Sequence, residues 1–261
     1  MELIEQNVRE IVQGDGVDGM LQHIDYCAGI CYNRHECSKD SYKFVKTLFE
    51  RGHMRPLEFG TINIKHDYEY DANFTRIMTS PYTYVDMDDD YIKITTNFRV
   101  VCETFGDFDK ALDYVKMYHI NECFFKRRTF AWVCSRGIAD EFRTHTTLSS
   151  LMKSTRYVDE AKREIEIIKP YWFDANPDMG NVMMESFNQM EETYRVLREN
   201  GLKPQDAREV LPLSLATELY QCGLWNVENT GWNKFIKMRN DNAAHPDAAK
   251  LCRMMMEIKE Q

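Results

Sequence analysis

"RRTFAWVCSR", residues 127–136, alternates Phe130, Trp132 and Cys134 on one side with Ala131 and Val133 on the other. Both sides are apolar, so the spacing predicts a central strand covered on both faces rather than an edge strand.

Working outward, "TINIKHDYEY" (61–70) and "YIKITTNFRVVC" (91–102) alternate in the same way and read as two further strands. "TSPYTYVDMDDDY" between them, with Pro81 and an acidic run, reads as an exposed connection without chemistry. "SKDSYKFVKTLFERGH" predicts a helix with Ser38 as its N-cap and Gly52 as its stop, and "DFDKALDYVKMYHI" predicts another. In the second half methionine and leucine recur, and helical periodicity covers 178–200, 205–224, 229–238 and 243–259. No linker or repeat divides the chain, so the expectation is one α+β domain over residues 1–261.

Composition sets outer limits. With 43% hydrophobic and 12% aromatic residues the chain can bury a full core. No run approaches the roughly 18 apolar residues of a membrane span, and "MELIEQNVREIVQ" is too acidic for a signal peptide, which predicts a cytoplasmic protein. A net charge of −9 argues against a nucleic-acid partner bound by phosphate neutralisation, but leaves small anionic ligands open. Eight dispersed cysteines read as free thiols.

Two motifs read as decoys. "GDGVDG" (14–19) has dinucleotide-loop spacing, yet "EQNVREIVQ" before it reads as helical and Asp15 and Asp18 would face the phosphates, so it is taken as a glycine-rich turn. Cys27, Cys31, His35 and Cys37 lack C-x-x-C spacing and a second ligand pair, so no metal site is expected.

The chemistry concentrates in "FRTHTTLSSLMKSTRY" (142–157). As a helix it would set His145, Ser149 and Arg156 close to one face, with Ser150 and Ser154 alongside. Hydroxyls, an imidazole and a guanidinium form a donor set suited to a phosphate or a polar heterocycle, although a solvated face would also be polar. Arg208, just beyond an expected N-cap at Asp206 in "DAREVLPLSLATEL", and Arg239 in "WNKFIKMRNDNAAH" lie in apolar surroundings and need anionic partners. Glu209, Glu218 and Asp241 are the bland choices.

Together, "ERGHMRPLEF", "SRGIADEFRTHTTLSSLMKSTRY", "AREVLPLSLATEL" and "FIKMRNDNAAH" resemble, in order, the flavin-dependent thymidylate synthases. The resemblance implies a mostly antiparallel sheet flanked by helices and a homotetramer with inter-subunit sites. It implies methylation of dUMP to dTMP, with methylene-tetrahydrofolate as carbon donor and NADPH-reduced FAD as hydride source. It implies substrate binding by Glu141, Ser154, Thr155, Arg156, Arg208 and Arg239, with Arg239 polarising the uracil. Cofactor binding falls on His53, Arg55, Thr144, His145, Thr146 and Lys237. No cysteine nucleophile is then needed.

The chain departs from the family pattern at several of these positions. The Arg-His-Arg triplet that contacts flavin is Thr144-His145-Thr146, Arg55 replaces a small hydroxyl residue, Phe59 a histidine, Lys237 an asparagine, and Met152 an acidic or amide residue. Arg55 and Lys237 are expected to compensate if they face the same pocket. A flavin enzyme hydroxymethylating another pyrimidine nucleotide, and a non-catalytic nucleotide-binding relative, are the alternative readings.

Overall fold

A computed structural model describes residues 1–67 and 71–259. In chain order it contains β1 (Glu2–Ile4), β2 (Asn7–Ile11), α1 (Gly16–Gly29), α2 (Ser41–Glu50), β3 (Thr61–His66), α3 (Ala72–Met78), β4 (Tyr84–Met87) and β5 (Ile92–Asn97). Then come α4 (Phe98–Phe105), α5 (Phe108–Tyr118), β6 (Arg127–Ser135), α6 (Arg136–Arg143), β7 (Ser149–Met152) and β8 (Glu166–Ile168). The last elements are α7 (Pro177–Glu199), α8 (Pro204–Ala207), β9 (Ala216–Leu224), α9 (Gly231–Arg239) and α10 (Pro246–Met256). This is the expected mixed fold of antiparallel sheet and flanking helices.

β6 lies inside the sheet β2-β6-β9-β7, antiparallel to both neighbours, with Val8 opposite Trp132 and Trp132 opposite Leu219. Its Phe130, Trp132 and Cys134 face packs on Phe142 of α6, on Trp232 and Phe235 of α9, and on Leu251 and Met255 of α10. Edge-to-face contacts order this layer, with Phe130–Trp232 centroids 4.9 Å apart and Phe142–Phe235 4.8 Å apart. On the opposite face Ala131 meets Cys27, Phe59, Leu151 and Tyr220. A second sheet, β3-β5-β4, is also antiparallel, while β1 and β8 pair in parallel.

Several local expectations are corrected. Residues 205–224 do not form a helix: α8 is short, Pro212 follows it, and 216–224 is β9, buried on both faces. A strand covered on both sides is apolar almost throughout, and its periodicity cannot be told from that of a buried helix. β5 stops at Asn97, whose side-chain oxygen accepts from the Val100 N–H and starts α4, where Phe98, Val101 and Cys102 bury at helical spacing. The connection before β5 contains β4, and the 61–70 strand is β3 to His66, with residues 68–70 outside the described ones. The N-cap of α2 is Asp40, not Ser38, whose hydroxyl binds Asp25; Gly52, at φ +72°, does end that helix. Asp206 lies within α8 and caps nothing; the N-cap is Lys203.

The segment before "GDGVDG" is the strand β2 rather than a helix. Because β2 pairs antiparallel to β6, the turn still does not belong to a parallel βαβ unit. All eight cysteines are free, and no cluster able to hold a metal occurs among the described residues. No helix among them is long and apolar enough to cross a membrane.

Candidate active site

Residues 142–157 are not one helix. α6 ends at Arg143, a turn carries His145 to Leu148, and β7 follows, so His145, Ser149 and Arg156 do not share a helical face. The turn instead delivers His145 to the last turn of α9. There the Arg239 Nε donates to His145 Nε2 at 2.9 Å, Nη1 to the Glu141 carboxylate at 2.8 Å, and Nη2 to the Glu141 carbonyl at 2.8 Å. Thr144 Oγ1 lies 3.4 Å from Nη2.

Accepting through Nε2 requires the imidazole to carry its proton on Nδ1. Burial, then the charges of Arg239 and Lys234, push the His145 pKa down to about 4, so the ring is neutral near pH 7. Glu141 is half-exposed while Arg239 is nearly covered, so the ion pair has one open side. On that side a cavity of about 590 Å³ is walled by Glu141, Ile138, Trp172, Leu213 and Asp247.

The second group surrounds β7. Thr155 is buried, and its hydroxyl accepts from Arg208 Nη1 at 3.2 Å. Ser154 Oγ accepts from the Arg156 N–H, and the exposed Arg156 guanidinium sits 5.7 Å from the Tyr157 ring centre. Arg136, the first residue of α6, has a buried Nη1 without an acceptor among the described residues. Sequence reasoning passed over it because a lone arginine after a strand carries no pattern.

The third group lies along a 3-10 helix, Arg55–Phe59. Arg55 and Thr146 line one cavity of about 160 Å³, together with Arg127, Thr147 and Ser149. Arg55 also borders an adjoining apolar cavity of about 500 Å³, which His53, Tyr32 and Tyr157 line as well. Lys237 does not join them; it is exposed beside Glu228, Asn229 and Lys234. Within the chain Arg55 shares a cavity with Thr146, and Lys237 lines a different one. Arg127 was missed because it opens an apolar strand and reads as its polar end.

The family model described as "Thymidylate synthase complementing protein" matches residues 119–261. The chain belongs to the flavin-dependent thymidylate synthase family. That span contains Glu141, Thr144 to Thr146, Ser154 to Arg156, Arg208 and Arg239, while His53 and Arg55 precede it. A flavin-dependent thymidylate synthase of Pyrobaculum aerophilum is 36% identical over 83 residues, 32% of this chain and 30% of that protein. The chain thus aligns with less than a third of that relative's length. Among solved structures, thymidylate synthase X from Helicobacter pylori with FAD and dUMP is similar at 21% identity and a TM-score of 0.41, over 51% of this chain and 67% of that one. A second structure of the same enzyme, also with FAD and dUMP, gives 20% and 0.40, over 51% and 68%.

Proposed function

We propose that the protein converts dUMP to dTMP, taking the carbon from methylene-tetrahydrofolate and the hydride from FAD reduced by NADPH. It acts as a single-domain cytoplasmic enzyme, a homotetramer whose sites form between subunits, without nucleic-acid, membrane or metal partners. The observation that carries the reading is the Arg239–Glu141 pair beside neutral His145. A uracil ring presents a carbonyl acceptor next to an N3–H donor, which complements a guanidinium next to a carboxylate.

In this reading Arg239 is catalytic: it stabilises the negative charge that develops on the uracil, making the ring carbon nucleophilic without an enzyme thiolate. His145 fixes the guanidinium by accepting from Nε and, being neutral, adds no competing charge. Arg208, Arg156, Ser154 and Thr155 hold the phosphate, where guanidinium forks suit two oxygens at once. The cation- and hydroxyl-lined cavity of Arg55 and Thr146, and the apolar cavity beside His53, fit an anionic dinucleotide with a planar ring system. His53, Arg55 and Thr146 line that region, and Thr144 and His145 stand next to it in the chain, both in contact with Arg239. When bound, reduced FAD supplies the hydride.

Incubation with FAD, NADPH, methylene-tetrahydrofolate and dUMP tests the proposal, with product identified by mass. dTMP is expected. Tight dUMP binding with neither NADPH oxidation nor product would instead mark a non-catalytic relative. The same Arg239–Glu141 pair also suits the N3 acceptor and neighbouring amino donor of cytosine, so turnover of deoxycytidylate in preference to dUMP, or a hydroxymethylated product, would favour the related flavin enzyme.

A further inference from the structure

The connection between α1 and α2, which carries Cys31, His35 and Cys37, is bolted to α1 by one carboxylate. Asp25 is fully buried; its Oδ1 accepts from Arg34 Nη2 at 2.5 Å, and its Oδ2 from the Ser38 N–H at 2.8 Å, the Ser38 hydroxyl at 2.5 Å and the Ser41 hydroxyl at 2.8 Å. Burial opposes ionisation of this carboxyl, but the donors outweigh it and hold its pKa below the usual value, so the group is charged at neutral pH. A buried charge held in this way ties down whatever donates to it. Arg34 matters most for the shape of the chain. Its Nη2 also reaches the Asp25 carbonyl at 3.1 Å, and its backbone N–H donates to the Gly29 carbonyl at 3.0 Å, closing a turn over residues 29–34. A Cβ at Gly29 would stand 2.8 Å from the Arg34 carbonyl oxygen, so glycine is what lets the turn close.

The turn presents Cys31 and Tyr32 to the chain just past β7. There the Cys31 carbonyl accepts from the Ser154 N–H at 3.3 Å, and the Tyr32 and Tyr157 rings stack with centroids 5.2 Å apart. Ser154 Oγ in turn accepts from the Arg156 N–H at 3.2 Å, and the Arg156 guanidinium lies over the Tyr157 ring. Tyr32, Arg156 and Tyr157 are all exposed, so core packing does not hold this end of the segment; the turn does. We propose that Asp25 and Arg34 are positioning residues for the nucleotide: their ion pair fixes the turn, and the turn aims Ser154 and Arg156 at the phosphate. Naming the nucleotide rests on the function proposed above; the brace between the turn and residues 154–157 does not.

The test follows binding of dUMP and of deoxyuridine by calorimetry, and amide exchange over residues 154–157 by mass spectrometry. It compares the wild type with Asp25→Asn, Arg34→Met and the double variant, each well below its thermal midpoint. The Arg34 side chain is 25% exposed, so Arg34→Met keeps a readable protein should Asp25→Asn not fold. Either single variant should weaken dUMP binding about tenfold and leave deoxyuridine binding unchanged, and the double should be no weaker than the worse single, because both break one ion pair. Exchange over 154–157 should quicken about tenfold while β9 stays protected. Unchanged dUMP affinity or unchanged exchange in folded Arg34→Met would overturn the inference, as would equal losses for dUMP and deoxyuridine. Faster exchange in Arg34→Met, from a wild type that binds no dUMP, would support the brace and sink the nucleotide reading instead.

Discussion

Arg239 spends its guanidinium on partners at both edges, and no lysine can reproduce that fork. Arg239→Lys is expected to lower kcat by about 10²- to 10³-fold, the scale of losing a preorganised donor at developing negative charge, with a smaller change in KM for dUMP. Steady-state kinetics of dTMP formation checks it. His145 has a second, thermodynamic signature. Its folded pKa of about 4 lies below the unfolded value near 6.5, so between the two the unfolded chain binds the extra proton. The contribution is complete above about pH 6.5 and is lost as the pH falls toward 4. His145→Gln should remove on the order of 3 kcal/mol of that acid-side loss, measured as urea stability at pH 7 and pH 4.5. Buried His23, also pushed down to about 4, accounts for a further part of it. At this scale Thr155 and Arg208 were singled out in separate local motifs, and the structure joins them by a hydrogen bond at 3.2 Å. Thr144's contact with Arg239 was not legible, since it depends on where α9 ends in space.

Elements were legible where burial is one-sided and illegible where it is not. The amphipathic helices α2, α5, α7 and α10 stand close to their expected ranges, because one polar face preserves the 3.6-residue period. β9 was misread because both its faces are covered, and β5 because alternating Thr96 and Phe98 continue the strand pattern into α4. A single side chain marks that second boundary. Asn97→Ala removes the acceptor of the Val100 N–H and should cost about 1 to 2 kcal/mol, read as a lowered urea midpoint with an unchanged m-value. Similar behaviour is expected at Ser135, whose hydroxyl accepts from the Ile138 N–H and opens α6.

Across the whole molecule the central sheet is tied by a polar clamp as well as by its core. Arg128 of β6 is almost fully buried; its Nε donates to the Glu10 carboxylate of β2 at 2.7 Å, and its guanidinium lies 4.3 Å from the Trp225 ring centre. Glu10→Gln leaves the buried guanidinium without its counter-charge and should cost about 3 to 5 kcal/mol, measurable by denaturant titration. The sheet's existence was legible in Phe130, Trp132 and Cys134, but the identity of its neighbours was not, because register is fixed by residues far away in the chain. That remoteness has a kinetic consequence. β6 finds Val8 on one side and Leu219 on the other, so neither ladder can close before a long loop does. Refolding should therefore be slow, on the order of seconds rather than milliseconds. Until both ladders close, the unpaired edges of β6 are open to other chains, and recovery after dilution from urea should fall as protein concentration rises.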